Sequence, residues 1–237
     1  MARLPKLLVV SAALLATPAS ADFYSHRYLG LSALDGSLDG FCTQATAFVS
    51  GLNSQQQSAS GTSCEEQGNG WKVYGGWRWK PNLAIELDLR QLPDASQAFQ
   101  VSNPRFPAMR INEEITSRMG NAFVVAHLPF GTTGLSVFGK VGGGFWLRRL
   151  EQNQRGEAVF LITGDDGAEE EITMPVSGQW RENQSGFHWG YGAGVSYRHH
   201  NRWTLRAEWE LFPEVGSSDF RGEQDIESAS LGWSMHF

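Results

Sequence analysis

The stretch "YRHHNRW" (Tyr197 to Trp203) carries two adjacent imidazoles, His199 and His200, and is the first place to look for chemistry. A histidine with a serine and an acid could act as the general base of an acyl transfer. The residues two places on are Asn201 and Arg202, so neither imidazole has a serine at that spacing. A shared metal is disfavoured too, because neighbouring side chains on a strand point to opposite faces. The pair therefore reads as polar turn chemistry. A larger set of reactive side chains recurs at alternate positions in apolar segments: Lys72, Arg78, Glu86, Asp88, Arg90, His127, Lys140, Arg206, Glu208 and Glu210. Both charge signs are present, so the chemistry on offer is ion pairing rather than turnover. No cofactor and no metal is expected.

These residues need elements that hold them on one side. Arg3 and Lys6, the apolar run Leu7 to Thr17 and the small-x-small Ala19-Ser20-Ala21 have the layout of a secretory signal peptide over residues 1–21, with the mature chain starting at Asp22. The formal charge of −6 argues against nucleic acid as a partner. Mean hydropathy is only −0.31, yet the chain has nine Trp, 14 Phe and 27 Gly. That mixture suits strands with one apolar face each. Cys42 and Cys64 flank a Ser/Gln/Gly-rich stretch, and in an exported protein an isolated pair reads as a disulfide.

Eight segments alternate with period two: Phe23 to Ala33, Gly70 to Trp79, Leu83 to Leu92, Arg118 to Phe130, Leu135 to Arg149, Gly186 to Arg198, Arg202 to Phe212, and Ile226 to Phe237. Tight turns "KPN", "GTTG" and "HHN" join the second to the third, the fourth to the fifth and the sixth to the seventh. The other connections are long and polar, and one holds the acidic run Gly164 to Glu171. An even number of strands with short turns at one end and long loops at the other predicts an all-β fold. It is an eight-stranded antiparallel up-and-down transmembrane β-barrel spanning residues 22–237, with extracellular long loops. In lipid every backbone N–H and C=O must be paired, so the last strand must close on the first.

The apolar sides then face lipid: Trp71, Val73, Trp77 and Trp79 on the second segment, Leu83 to Leu89 on the third, Phe187 to Tyr197 on the sixth, Trp203 to Leu211 on the seventh. Trp77, Trp79, Tyr197 and Trp203 adjoin short turns and should form the periplasmic aromatic girdle. The charged positions point into the lumen, with Gly and Ser at most remaining inward places. A soluble lipocalin-like barrel would reverse the two faces, and its interior would be overfilled by this many Trp.

The segment "GWKVYGGWRWKPNLAIELDL" resembles the second hairpin of the OmpA-like outer membrane barrel family. "FYSHRYLGLS", "FGKVGGGFW" and "YGAGVSYRHHNRWTLRAEWELF" resemble its first, fifth, and sixth and seventh strands. The resemblance implies an outer membrane location in a Gram-negative bacterium. It also implies a lumen plugged by ion pairs, with Glu86 as the central carboxylate and Arg206 as its arginine. Lys140 sits where the family often has another basic residue, and His127 falls where the best-known member has lysine; Lys72 and Glu208, inward by alternation, would join the same network. Ser196 falls where that member has glutamate. The peptidoglycan-binding domain of longer members is not part of the match. Lipid A deacylase barrels carry a His-x-Ser-Asn arrangement that "HHNR" lacks.

The functional expectation is a non-enzymatic integral barrel with a structural or surface-interaction role, set against a narrow-channel porin or a lipid A-modifying enzyme. Its expected partners are membrane lipid and lipopolysaccharide, an unidentified surface ligand, and the outer-membrane assembly machinery. That machinery would read the alternating terminus Trp233, Met235 and Phe237.

Overall fold

The computed structural model describes residues 26–54, 58–103, 105–163, 169–200, 202–217 and 222–237. Its elements are β1 (His26–Asp39), α1 (Phe41–Ser54), β2 (Ser58–Glu65), β3 (Gln67–Lys80), β4 (Leu83–Gln91) and β5 (Ala95–Asn103). They continue as β6 (Phe106–Pro129), β7 (Leu135–Thr163), β8 (Glu169–His199), β9 (Trp203–Ser217) and β10 (Gly222–His236). Residues 1–21 and the start of the first predicted strand lie outside the described residues.

Eight strands form the closed antiparallel ring β1-β3-β4-β6-β7-β8-β9-β10, and β10 returns to β1. Leu31 is the seam, opposite Trp233 on one side and Val73 on the other. Closure extends to the last residue: Phe237 N–H donates to Arg27 C=O at 3.1 Å, and Arg27 N–H donates back at 3.3 Å. The turns Pro81–Asn82 and 130–134 fall where the sequence puts them. Gly131 and Gly134 take the positive φ angles, 56° and 79°, that the second turn requires.

Outward positions are apolar and exposed. Leu29, Leu31, Leu87, Leu89, Val124, Val141, Leu205 and Leu231 form a band around the ring. A β-strand crosses a bilayer in about 9–11 residues, so side chains that would be stranded in water instead face acyl chains. Aromatic pairs mark the band's edges. Trp77 and Trp79 have ring centroids 6.1 Å apart, and Trp203 lies 4.9 Å from His199, at the short-turn end. Trp189, Tyr191 and Trp209 cluster towards the other end.

Three connections differ from the polar loops expected. The first holds α1 and β2, and the Cys42–Cys64 disulfide ties them together. The second holds β5, which pairs β2 on one side and β6 on the other. The third is an extension of the barrel wall, because β7 and β8 pair continuously from Leu135↔Tyr197 to Thr163↔Glu169. That extension runs far past the last β8–β9 pair, Tyr191↔Leu211. Most of the predicted acidic loop, residues 164–168, lies outside the described residues.

Candidate functional site

Alternation along each strand delivers the inward residues, and the ring brings them together. β3 supplies Lys72, β4 supplies Glu86, Asp88 and Arg90, β7 supplies Lys140, and β9 supplies Arg206, Glu208 and Glu210. All eight are buried. Arg206 clasps Glu86 with two prongs, Nη1–Oε2 at 2.5 Å and Nη2–Oε1 at 3.0 Å, and also reaches Glu208 at 2.6 Å. Tyr28 OH donates to Glu86 at 2.9 Å. Lys140 lies 2.6 Å from Glu210, 3.2 Å from Glu208 and 3.5 Å from Glu86. Lys72 pairs with Glu208, and with Glu210 at 3.0 Å. Arg90 makes a second two-pronged pair, with Glu210, at 2.7 and 3.0 Å, and holds Asp88 at 2.5 Å.

The set has four cations and four carboxylates, so it neutralises itself. Isolated charges here would be far too costly, and each must be both paired and hydrogen-bonded. Aromatic faces flank the layer. The Arg206 guanidinium sits 4.4 Å from the Phe138 ring centre, Lys140 Nζ 4.4 Å from Phe123, and Arg90 4.7 Å from Phe212. These distances are within cation–π range.

Glycine makes the space for this. A Cβ on Gly76 would fall 2.3 Å from the Tyr28 ring, and one on Gly30 would fall 2.5 Å from Tyr74. The two tyrosines lie on glycines of the adjoining strand, which is what lets Tyr28 reach Glu86. On β7, a Cβ on Gly144 would come within 1.9 Å of the Gly120 carbonyl. There β6 and β7 approach too closely for any side chain.

Of the residues singled out from sequence, Glu86, Arg206, Lys140, Lys72 and Glu208 share the ionic layer. His127 does not. It lies nearer the short-turn end, its ring 5.6 Å from Phe138, with Nδ1 making no hydrogen bond to the described residues. Asp88, Arg90 and Glu210 are full members that the family comparison alone left out. Their inward register was the signal for them.

The extracellular half of the lumen departs from the expected Gly/Ser lining. Above the ions it is mostly apolar: Leu38, Leu92, Ile115, Met119, Trp146, Leu150, Phe212, Val215 and Ile226 form one buried cluster, beside which the buried Arg148 donates through Nη1 to Gln224 Oε1 at 2.7 Å. Phe41, at the start of α1, completes the cluster. Helix α1 thus covers the mouth. Gln44 Nε2 donates to Glu223 C=O at 3.3 Å, and Glu66 accepts from Cys42 N–H at 2.9 Å. Val49 packs with Phe99 and Val101 of β5 in a second small core. Met235 and Trp233 face outward on β10, and Phe237 is exposed at the barrel's short-turn end.

His199 and His200 touch each other at 2.7 Å and sit at the β8–β9 turn, the end opposite α1. Among the described residues, no group of His, Cys, Asp or Glu could hold a metal ion.

The chain matches the family described as outer membrane protein beta-barrel domain over residues 7–237. No curated protein matches it. Among solved structures it is similar to Ail, the attachment invasion locus protein of Yersinia pestis, at 11% identity over 91% of this chain and 100% of that one, with TM-score 0.46. It is also similar to Neisserial surface protein A, at 13% identity over 89% and 97% with TM-score 0.44. A third is OprG from Pseudomonas aeruginosa, at 10% identity over 90% and 96% with TM-score 0.44. A closed ring of eight strands with a lipid-facing band, matched along nearly its whole length by one family, leaves one assignment: the chain belongs to the outer membrane protein β-barrel family, an OmpA-like barrel of the Gram-negative outer membrane.

Proposed function

We propose that this protein is a non-catalytic barrel that presents a built extracellular surface, with its lumen closed to solute flow. The observation that carries the reading is the division of structure along the barrel axis. Inside the ring, ions and then an apolar cluster fill the space, in keeping with an eight-stranded barrel just wide enough for side chains. Beyond the ring the chain builds more structure: a disulfide-tied α1–β2 unit, β5, and the tall β7–β8 hairpin. Loops serving only as connectors would be shorter.

The enzyme reading loses support from position as well as sequence. Lipopolysaccharide occupies the outer leaflet, whereas His199 and His200 lie at the short-turn, periplasmic end. Lipid and lipopolysaccharide contact the outward band, and the assembly machinery reads the β10 terminus. Residues 1–21 direct export and are removed.

The test is to shorten the hairpin by deleting residues 153–179, where Gln152 and Trp180 are already paired. Cells displaying the full protein should adhere to immobilised matrix proteins, and cells displaying the shortened one should not. The shortened protein should still show the heat-dependent gel migration of a folded barrel. Equal adhesion by both, or adhesion by neither, would refute a surface-interaction role.

A further inference from the structure

At the extracellular edge of the lipid-facing band the strands of the ring end differently. On β6 the outward residues are apolar or small from Leu128 back to Gly120, and on β7 from Val137 to Leu147. Each run is about the 9–11 residues that cross a bilayer. The next outward residues are Arg118 and Arg149, both exposed. On β1 and β10, at the opposite side of the ring, the next outward residues are Asp35 and Glu227. On β3, β4, β8 and β9 they are the uncharged Asn69, Gln91, Ser185 and Pro213. The arginines therefore mark one sector of the rim. We propose that this sector binds the headgroup of lipid A, the membrane anchor of lipopolysaccharide, with Arg118 and Arg149 sharing one phosphate. The inference rests on the contact between the outward band and lipopolysaccharide proposed above, and adds a defined site to it.

Register brings the two arginines together. Arg118 stands opposite Leu147 and Arg149 opposite Thr116, so the arginines are diagonal neighbours. Diagonal positions lie about 7–8 Å apart, within reach of long side chains. Two like charges that close repel, and a phosphate between them replaces the repulsion with two attractions. Arg149 donates through Nε to Asn183 Oδ1 at 3.1 Å, an uncharged partner that steadies the side chain and leaves its charge in place. Among the described residues, neither arginine forms an ion pair. The carboxylates one step further out, Glu114 and Glu151, face each other across β6 and β7. Glu151 is taken by Arg181, at 3.3 Å.

The surroundings suit an amphipathic anion. Gln91 lies beside Arg118 and Asn183 beside Arg149, which puts neutral hydrogen-bonding groups at the same height. Immediately below, Phe145 and Phe187 face each other across β7 and β8, and Phe187 is 91% exposed. A ligand here meets charge and amides above and bare aromatic surface beneath. Lipid A is divided in the same way, because its phosphates sit at the base of its acyl chains. Arginine forks match phosphate oxygens two at a time.

The test uses the full chain folded in an uncharged maltoside detergent. It is titrated with diphosphoryl lipid A and, separately, with the same lipid stripped of its phosphates, and bound lipid is counted by native mass spectrometry. One saturable adduct of the phosphorylated lipid is expected, with binding at least tenfold weaker for the stripped one. Arg118→Gln and Arg149→Gln should each weaken the first by about tenfold, the loss expected for one charge-assisted hydrogen bond. Arg110→Gln removes the same charge from β6 about 26 Å further along the strand, and should leave binding unchanged. Heat-dependent gel migration shows which variants fold, and if one of the two rim variants does not, the other carries the result. Equal binding of the two lipids would keep the general contact with the band and overturn the site. Full affinity in the rim variants, or an equal loss in Arg110→Gln, would overturn it as well. Binding of neither lipid would remove both the site and the contact it rests on.

Discussion

Arg206 on β9 and Glu86 on β4 meet across the lumen as a two-pronged ion pair, at 2.5 and 3.0 Å. Removing one side of a buried pair strands the other charge, which typically costs about 3–5 kcal/mol. Lys140 lies 3.5 Å from Glu86 and can take over part of the pairing. Arg206→Ala should therefore cost about 3 kcal/mol in urea unfolding. Glu86→Ala added to it should cost much less than Glu86→Ala alone. A double-mutant cycle measures the difference, and simple additivity would mean that the two residues do not act as a pair.

Two leucines with nearly the same exposure should behave oppositely. Leu87 on β4 is 60% exposed and Leu161 on the β7 extension is 65% exposed. The first faces lipid mid-strand, and the second stands above the membrane in water. Leu87→Arg should cost about 2–4 kcal/mol, and Leu161→Arg close to nothing. Equal losses would place the hairpin top in the bilayer.

The Cys42–Cys64 bridge spans 22 residues of sequence. Closing a loop of that size stabilises it by about 3 kcal/mol, mainly by restricting the unfolded chain. Because the bridge lies outside the ring, reduction should expose residues 41–54 to protease while the heat-dependent gel shift persists. Loss of that shift on reduction would tie the bridge to the barrel itself.

Phe237 exchanges two backbone hydrogen bonds with Arg27 and so helps to close the ring. Deleting it should reduce outer-membrane insertion, measured by cell fractionation, while export to the periplasm continues. Undiminished insertion would make the terminal aromatic incidental.

The ring and the ionic layer were legible in sequence because lipid on one side and charge on the other impose a strict period of two. Leu83 to Arg90 shows it without a break. The period fades where β7 and β8 leave the membrane, since water asks nothing apolar of either face, and the predicted strands stop at Arg149 and Gly186. Helix α1 left a trace, with Phe41, Ala45, Val49 and Leu52 at helical spacing, but within a Ser/Gln-rich stretch that reads as loop. The apolar upper lumen was hidden for a different reason. Trp146 and Phe212 are apolar residues in register with the charges, and alternation alone cannot separate an apolar residue facing lipid from one packed under a helical cap. His127 occupies an inward register too, but register fixes the face and not the height at which Phe138 holds the ring.

The central claim is that the lumen is closed by the ion pairs below and the apolar cluster and α1 above. Single-channel recording of the purified protein in planar bilayers tests it most directly. The account predicts a silent bilayer, or brief openings of small conductance that become longer in Arg206→Ala. Large, steady, ohmic channels from the unmodified protein would contradict it.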